Sequence, residues 1–183
     1  MTASKTLNIA LVGNPNSGKS TLFNSLTGLN QKVGNFPGVT VDKKTGKVEL
    51  DTQTTANIID LPGSYSLYPR RSDEWVAYKV LMQADEDVKA DIILLVADAS
   101  NLKRNLLFCS QILDLKVPVV IALTMNDMAA KKGIKIDIGG LEAELGIPVI
   151  EVNPRKSKGL QQLKKIILLT AKQKQKSNRD FID

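Results

Sequence analysis

The chain has 183 residues, of which 43% are hydrophobic and 24% charged, a length and balance that suit one globular domain with its own core. It contains no histidine and a single cysteine, Cys109, which excludes histidine triads, histidine metal sites and an intramolecular disulfide. A net charge of +6 admits anionic partners, but aromatics at 4% leave few platforms for stacked bases, so no nucleic-acid partner is expected.

In chain order, residues 1–10 lack a signal-peptide pattern, and no run reaches the ~18 apolar residues of a membrane span. The segment is expected to be cytoplasmic, with no direct membrane insertion. Residues 7–12 form a short β-rich run ending at Gly13. Leu22, Phe23 and Leu26 follow helical spacing, with Gly28 as a stop. Residues 29–44 are polar and glycine-containing, and read as a loop.

Residues 48–50 and 56–59 read as two strands joined by a polar turn. A second loop covers 61–72. Ser72 or Asp73 then caps a helix to about Gln83, and Asp85, Glu86 and Asp87 read as the solvated end of that helix. Residues 92–97 are a nearly continuous apolar strand. A helix over 102–115 carries Cys109 as a core thiol.

Residues 117–123 form another buried strand, 140–145 a short helix and 149–152 a last strand. Leu160, Leu163, Ile166 and Ile167 make the apolar stripe of a final helix. Strands alternating with helices predict a three-layer α/β domain: a mostly parallel, six-stranded sheet with helices on both faces. The domain is placed over 1–170. Residues 171–183 read as a basic polar tail, the start of a linker or of a further helical domain.

Gly13-Asn14-Pro15-Asn16-Ser17-Gly18-Lys19-Ser20 matches G-x-x-x-x-G-K-[ST], with a strand before it and a helix after it. In such a loop the backbone N–H groups of Asn14, Pro15's neighbours, Asn16, Ser17 and Gly18 wrap phosphates at a helix N-terminus. Lys19 reaches the β- and γ-phosphates, Ser20 ligates Mg²⁺, and Thr21 follows on the helix. The fold expected is therefore that of a P-loop NTPase, in its Ras-like G-domain form.

Three further segments favour GTP. Asp60-Leu61-Pro62-Gly63 follows a strand as D-x-x-G, with Asp60 holding Mg²⁺ through water and the Gly63 N–H sensing the γ-phosphate. Thr40, in the first loop, is the natural switch threonine for Mg²⁺ and γ-phosphate. Thr124-Met125-Asn126-Asp127 ends a strand in the manner of [NT]-K-x-D. There Asp127 accepts from the N1 and 2-amino groups of guanine, two donors that adenine lacks. Asn126 is the polar alternative should the register slip.

With these segments placed, the sequence resembles the ferrous iron transport protein B family over residues 9–163. The most particular segment is Gly34-Asn35-Phe36-Pro37-Gly38-Val39-Thr40-Val41. Next come Asp60-Leu61-Pro62-Gly63-Ser64-Tyr65-Ser66-Leu67 and Gly133-Ile134-Lys135-Ile136-Asp137. The resemblance implies a slowly GTP-hydrolysing domain that regulates an Fe²⁺ permease of the same polypeptide, at the cytoplasmic face of the bacterial inner membrane.

Family members continue into a helical domain and a membrane region, so the chain reads as a piece of a longer protein, with a free-standing relative as the alternative. The resemblance also implies K⁺ as a second cation beside GTP/GDP and Mg²⁺. Asn16 would ligate it, completed by carbonyls of residues 34–38. Homo-oligomerisation is left open.

Three departures from the family pattern bear on function. The position after D-x-x-G holds Ser64, too weak an acid to serve as a base near neutral pH, so hydrolysis is expected to be slow. The guanine motif begins with Thr124, and Met125 stands where lysine is usual. The last base loop reads Asn153-Pro154-Arg155 where the family has S-A-R. Proline has no N–H to give guanine O6, leaving the Asn153 side chain or the Arg155 N–H. Competing readings are an RNA- or ribosome-associated GTPase, an ATP-using P-loop kinase and a nucleotide sensor with negligible turnover.

Overall fold

The computed structural model describes residues 5–82 and 89–179. The strands are β1 (Lys5–Gly13), β2 (Gln31–Asn35), β3 (Asp42–Glu49), β4 (Thr54–Asp60), β5 (Ile92–Asp98), β6 (Val119–Thr124) and β7 (Val149–Glu151). The helices are α1 (Lys19–Thr27), α2 (Ser72–Leu81), α3 (Leu102–Leu113), α4 (Asn126–Lys131), α5 (Ile138–Leu145) and α6 (Leu160–Arg179). The strands form one seven-stranded sheet in the order β2-β3-β4-β1-β5-β6-β7. β2 and β3 run antiparallel to their neighbours, and every other pair is parallel.

Alternation along the central strands sorts the core into two layers. Ile9 and Leu11 of β1, with Ile92, Leu94 and Val96 of β5, pack with Leu22 and Phe23 of α1 and Leu163 and Ile167 of α6. Ala10, Val12, Ile93 and Leu95 pack on the other face with Val76 and Val80 of α2 and Phe108 and Ile112 of α3. Covering both faces is what makes β5 and β6 apolar at nearly every position. Cys109 lies in the second layer, where burial pushes its thiol up to about 11.

The sheet has one strand more than the sequence pattern predicts. β2 lies inside the segment read as a loop. Four of its five residues are exposed, so it carries no apolar alternation to find. Backbone pairing with β3, from Gln31–Gly46 to Asn35–Asp42, makes it a strand. The Gln31 amide also ties it to α1, reaching Asn24 Oδ1, Thr27 Oγ1 and the Gly28 carbonyl at 3.0 Å each. β3 begins six residues earlier than its apolar part, because its first half is charged and half-exposed.

The helices also adjust. α2 ends by Leu81, and its expected end at Gln83, like the acidic trio at 85–87, lies outside the described residues. α4 is a single six-residue helix that the pattern does not signal. α5 starts at Ile138 because the Asp137 side chain accepts from the Gly140 N–H. α6 runs on through the Lys/Gln-rich stretch to Arg179, with Ala171 buried. The expected boundary at 170 therefore falls within an element.

This topology brings the C-terminal ends of β1, β4, β5, β6 and β7 to one edge of the sheet, the edge where parallel sheets place their ligands. Leu163 is fully buried at the centre of the α6 contact. Leu163→Ala is expected to lower stability by about 2–5 kcal/mol, read from the shift in a urea unfolding curve.

Candidate functional site

β1 passes into α1 through five residues, 14–18. Asn16 and Gly18 take positive φ, 62° and 86°. Asparagine tolerates that region and glycine enters it freely. Gly13 holds the loop against the sheet: a Cβ there would lie 2.8 Å from the Val96 carbonyl oxygen. The Ser17 N–H donates to the Asn14 carbonyl at 3.2 Å.

The result is a cavity of ≈ 550 Å³ at the start of α1, lined by Asn14, Pro15, Asn16, Gly18, Lys19, Ser20, Thr21 and Gly63. The unpaired N–H groups of the first helical turn belong to this wall. Lys19 and Asp60 form an ion pair, their side chains only 11% and 9% exposed. Both polar atoms of the Asn14 amide and the Ser17 hydroxyl are buried without a protein partner. Such groups are rare in a folded chain and carry a desolvation cost.

A second cavity of ≈ 350 Å³ adjoins the first, and both are lined by Gly18, Thr21, Met125 and Arg155. Its other walls are Thr124, Asp127, Met128, Val152, Asn153, Pro154 and Lys156. The buried Thr124 hydroxyl lies 2.6 Å from the Ser17 carbonyl and 3.1 Å from the Ala97 carbonyl. It donates to the nearer, so β6 is tied directly to the phosphate-type loop.

Met125 turns the chain through a left-handed conformation, φ 58°. The Asn126 amide then donates to the Leu123 carbonyl at 2.7 Å. Asp127 lines the cavity, in the first turn of α4, and Asn126 does not.

The last loop is a single 3-10 turn, Pro154–Lys156, with proline at its first position. The Asn153 side chain accepts from the Lys156 N–H at 3.3 Å, and the Pro154 carbonyl accepts from the Ser25 hydroxyl at 3.1 Å. Asn153 is committed to its own turn.

Four expected residues are absent from the two cavity linings, Ser17, Thr40, Asp60 and Ser64, although Asp60 pairs with Lys19 on the wall. Thr40 lies exposed in the turn between β2 and β3 and is no part of the lining, and neither are residues 34–38. The turn closes on itself, with Phe36 N–H donating to the Val41 carbonyl at 3.0 Å and Phe36 buried. Ser64 is buried beside the loop, but its hydroxyl donates to the Ser66 carbonyl at 2.6 Å.

Conversely, Arg71 and Asp73 line the first cavity, and Val152, Met128 and Lys156 the second. None was signalled by the motifs. Arg71 and Asp73 follow a loop of no fixed spacing, so only the fold places them.

A sequence model of ferrous iron transport protein B matches residues 7–167. The chain belongs to the ferrous iron transport protein B family. The Fe(2+) transporter FeoB of Leptospira biflexa is 47% identical over 163 residues, covering 89% of this chain and 23% of that protein. The FeoB of Escherichia coli K12 is 46% identical, covering 87% of this chain and 21% of that protein. The chain thus spans about a fifth of these relatives' length.

Among solved structures, the G domain of the T. maritima FeoB iron transporter superposes with a TM-score of 0.83 at 42% identity, covering 91% of this chain and 99% of that one. A GDP-bound mutant of the S. thermophilus FeoB G domain gives 0.80 at 44% identity, covering 90% and 60%. The FeoB G-domain fold, a GTPase fold, is therefore that of this chain.

Thr124→Val removes the tie between β6 and the Ser17 carbonyl and leaves that acceptor buried. It is expected to cost about 1–3 kcal/mol of stability, measured by urea unfolding.

Proposed function

We propose that the chain binds GTP and GDP and hydrolyses GTP slowly, as the regulatory domain of a ferrous iron transporter. The observation that carries this is the placing of Asp127 in a cavity that opens onto the cavity of the Gly13–Ser20 loop. Phosphates would lie against Lys19 and the first turn of α1, and the base against Asp127, Thr124 and Met125.

The residues present fit a nucleotide and its metal. The orphaned Asn14 and Ser17 groups are what a polar ligand would satisfy. Ser20 is on the cavity wall and Asp60 beside it, positioned to hold Mg²⁺, Asp60 through water. Mg²⁺ would neutralise charge on the β- and γ-phosphate oxygens. Asp60 would then exchange its pairing with Lys19 for the metal shell, freeing Lys19 for phosphate. Thr40 would join only if the 36–41 turn opens toward the cavity. Asn16, on the wall with its left-handed backbone, is the proposed K⁺ ligand, and carbonyls of residues 34–38 depend on the same opening.

Regulation would follow from these loops taking one arrangement with the γ-phosphate and another without it. The relatives are several times longer than this chain, which supports a permease in the same polypeptide as the proposed partner. A sensor with negligible turnover is the second reading. It is favoured by Ser64, whose hydroxyl is turned into its own loop and offers no base.

Guanine selectivity is tested by displacing a fluorescent GDP analogue with unlabelled GDP or ADP. Displacement by GDP alone supports the reading, and equal displacement by both removes it. In the same assay Pro154→Ala restores an N–H to the base loop. It should tighten GDP binding, since a missing hydrogen bond to a half-buried acceptor costs about 1–3 kcal/mol. Unchanged affinity would mean that the Arg155 N–H already serves.

Ser64→Ala is expected to change turnover of GTP less than tenfold, by single-turnover phosphate release. A hundredfold loss would give the hydroxyl a direct role.

A further inference from the structure

Two charged side chains on the wall of the first cavity belong to no motif: Arg71 and Asp73. Arg71 is the residue that caps α2, with an extended backbone at φ −123°, ψ 159°. For the helix alone it is a poor choice. Good caps accept hydrogen bonds through a short side chain, and a cation here meets the positive end of the helix dipole.

Glu74 does the capping instead. Its carboxylate accepts from the Arg70 N–H at 2.7 Å and from the Arg71 N–H at 3.2 Å. These bonds pin the Arg71 backbone at the cavity edge without using its guanidinium.

The guanidinium is held by Asp73 at 2.9 Å, and Glu74 lies 3.9 Å from its Nε. The Arg71–Asp73 pair is exposed, at 64% and 36%. Exposed pairs of this kind contribute little to stability, so the partner is easily exchanged. Lys19 differs, being paired with Asp60 in a nearly buried position.

A guanidinium matches the oxygens of a phosphate in a two-pronged geometry that an ammonium cannot copy. Asp73, released, stays half-exposed in the first turn of α2, where the helix dipole favours its charge.

We propose that Arg71 distinguishes triphosphate from diphosphate: its guanidinium leaves Asp73 for the terminal phosphate of a bound nucleoside triphosphate, and so couples the start of α2 to that phosphate. This rests on the nucleotide reading above. A diphosphate ends one group short and gives Arg71 nothing to take in exchange. The chain carries its own reporter, because its single tryptophan, Trp75, lies in the first turns of α2. Trp75 is half-exposed, and its ring meets Tyr78 edge-on at 5.5 Å.

The test measures affinities for GDP and for a non-hydrolysable GTP analogue, both with Mg²⁺, together with Trp75 fluorescence. Arg71→Ala should weaken analogue binding tenfold or more and leave GDP within twofold. It should also erase the fluorescence change that distinguishes the analogue from GDP. Arg71→Lys should recover only part of the loss. Asp73→Asn, which frees the guanidinium, should tighten analogue binding severalfold.

Arg70→Ala removes the same charge from the neighbouring residue, which does not line the cavity, and should leave both affinities within twofold. Equal effects of Arg71→Ala on the two nucleotides, or none on either, overturn the proposal while the nucleotide reading stands. A wild-type chain that binds neither nucleotide overturns both.

Discussion

A strand must become a helix here within five residues and still leave a hollow between them. Everything else at the site depends on that passage. Left-handed backbone at Asn16 and Gly18 bends the chain back. The close approach of Gly13 to the Val96 carbonyl keeps the bend flush with the sheet. The Thr124 hydroxyl, arriving from β6, fastens the Ser17 carbonyl from the far side. A loop gripped by two neighbouring strands keeps its backbone donors in place before any ligand arrives, and so avoids an ordering cost at binding.

Two of the cations on the wall of the first cavity have acidic partners. Lys19 is matched by Asp60, and Arg71 by Asp73. A cation-lined cavity without such partners would repel itself, and its lysine would carry an unpaired charge in a nearly buried place. The acidic partners answer that problem at the cost of competing with any anionic ligand.

Much of this was legible in the sequence, for physical reasons that differ by element. β5 and β6 are buried on both faces, so their apolar runs stand out. The Gly13–Ser20 loop is legible because backbone geometry restricts which residues can occupy it. Asp127 follows at a fixed spacing from the end of a strand.

β2 was not legible, because an exposed edge strand held by backbone pairing needs no particular side chains. Arg71 was not legible either, because its place on the cavity wall depends on where α2 begins in space, and no spacing encodes that. Nor does spacing separate Asn126 from Asp127, whereas in the fold the Asn126 amide bonds to the Leu123 carbonyl and Asp127 lines the cavity. Thr40 shows the converse. Its segment is distinctive in sequence, yet in this conformation the turn bonds to itself and stays clear of the cavity.

The loop over residues 153–158 joins the second cavity to α6. Asn153 and Lys158 form a backbone bridge that closes the loop, and α6 starts two residues later at Leu160. The helix has 20 residues, or about 30 Å at 1.5 Å per residue. It is bolted to the sheet at Leu163, Ile167 and Ala171. There is no slack between the rim of the second cavity and this strut. Gly159 alone lies between the bridge and the helix, and a Cβ there would meet the Glu151 carbonyl oxygen, so the loop and the start of α6 are packed against β7 as one piece.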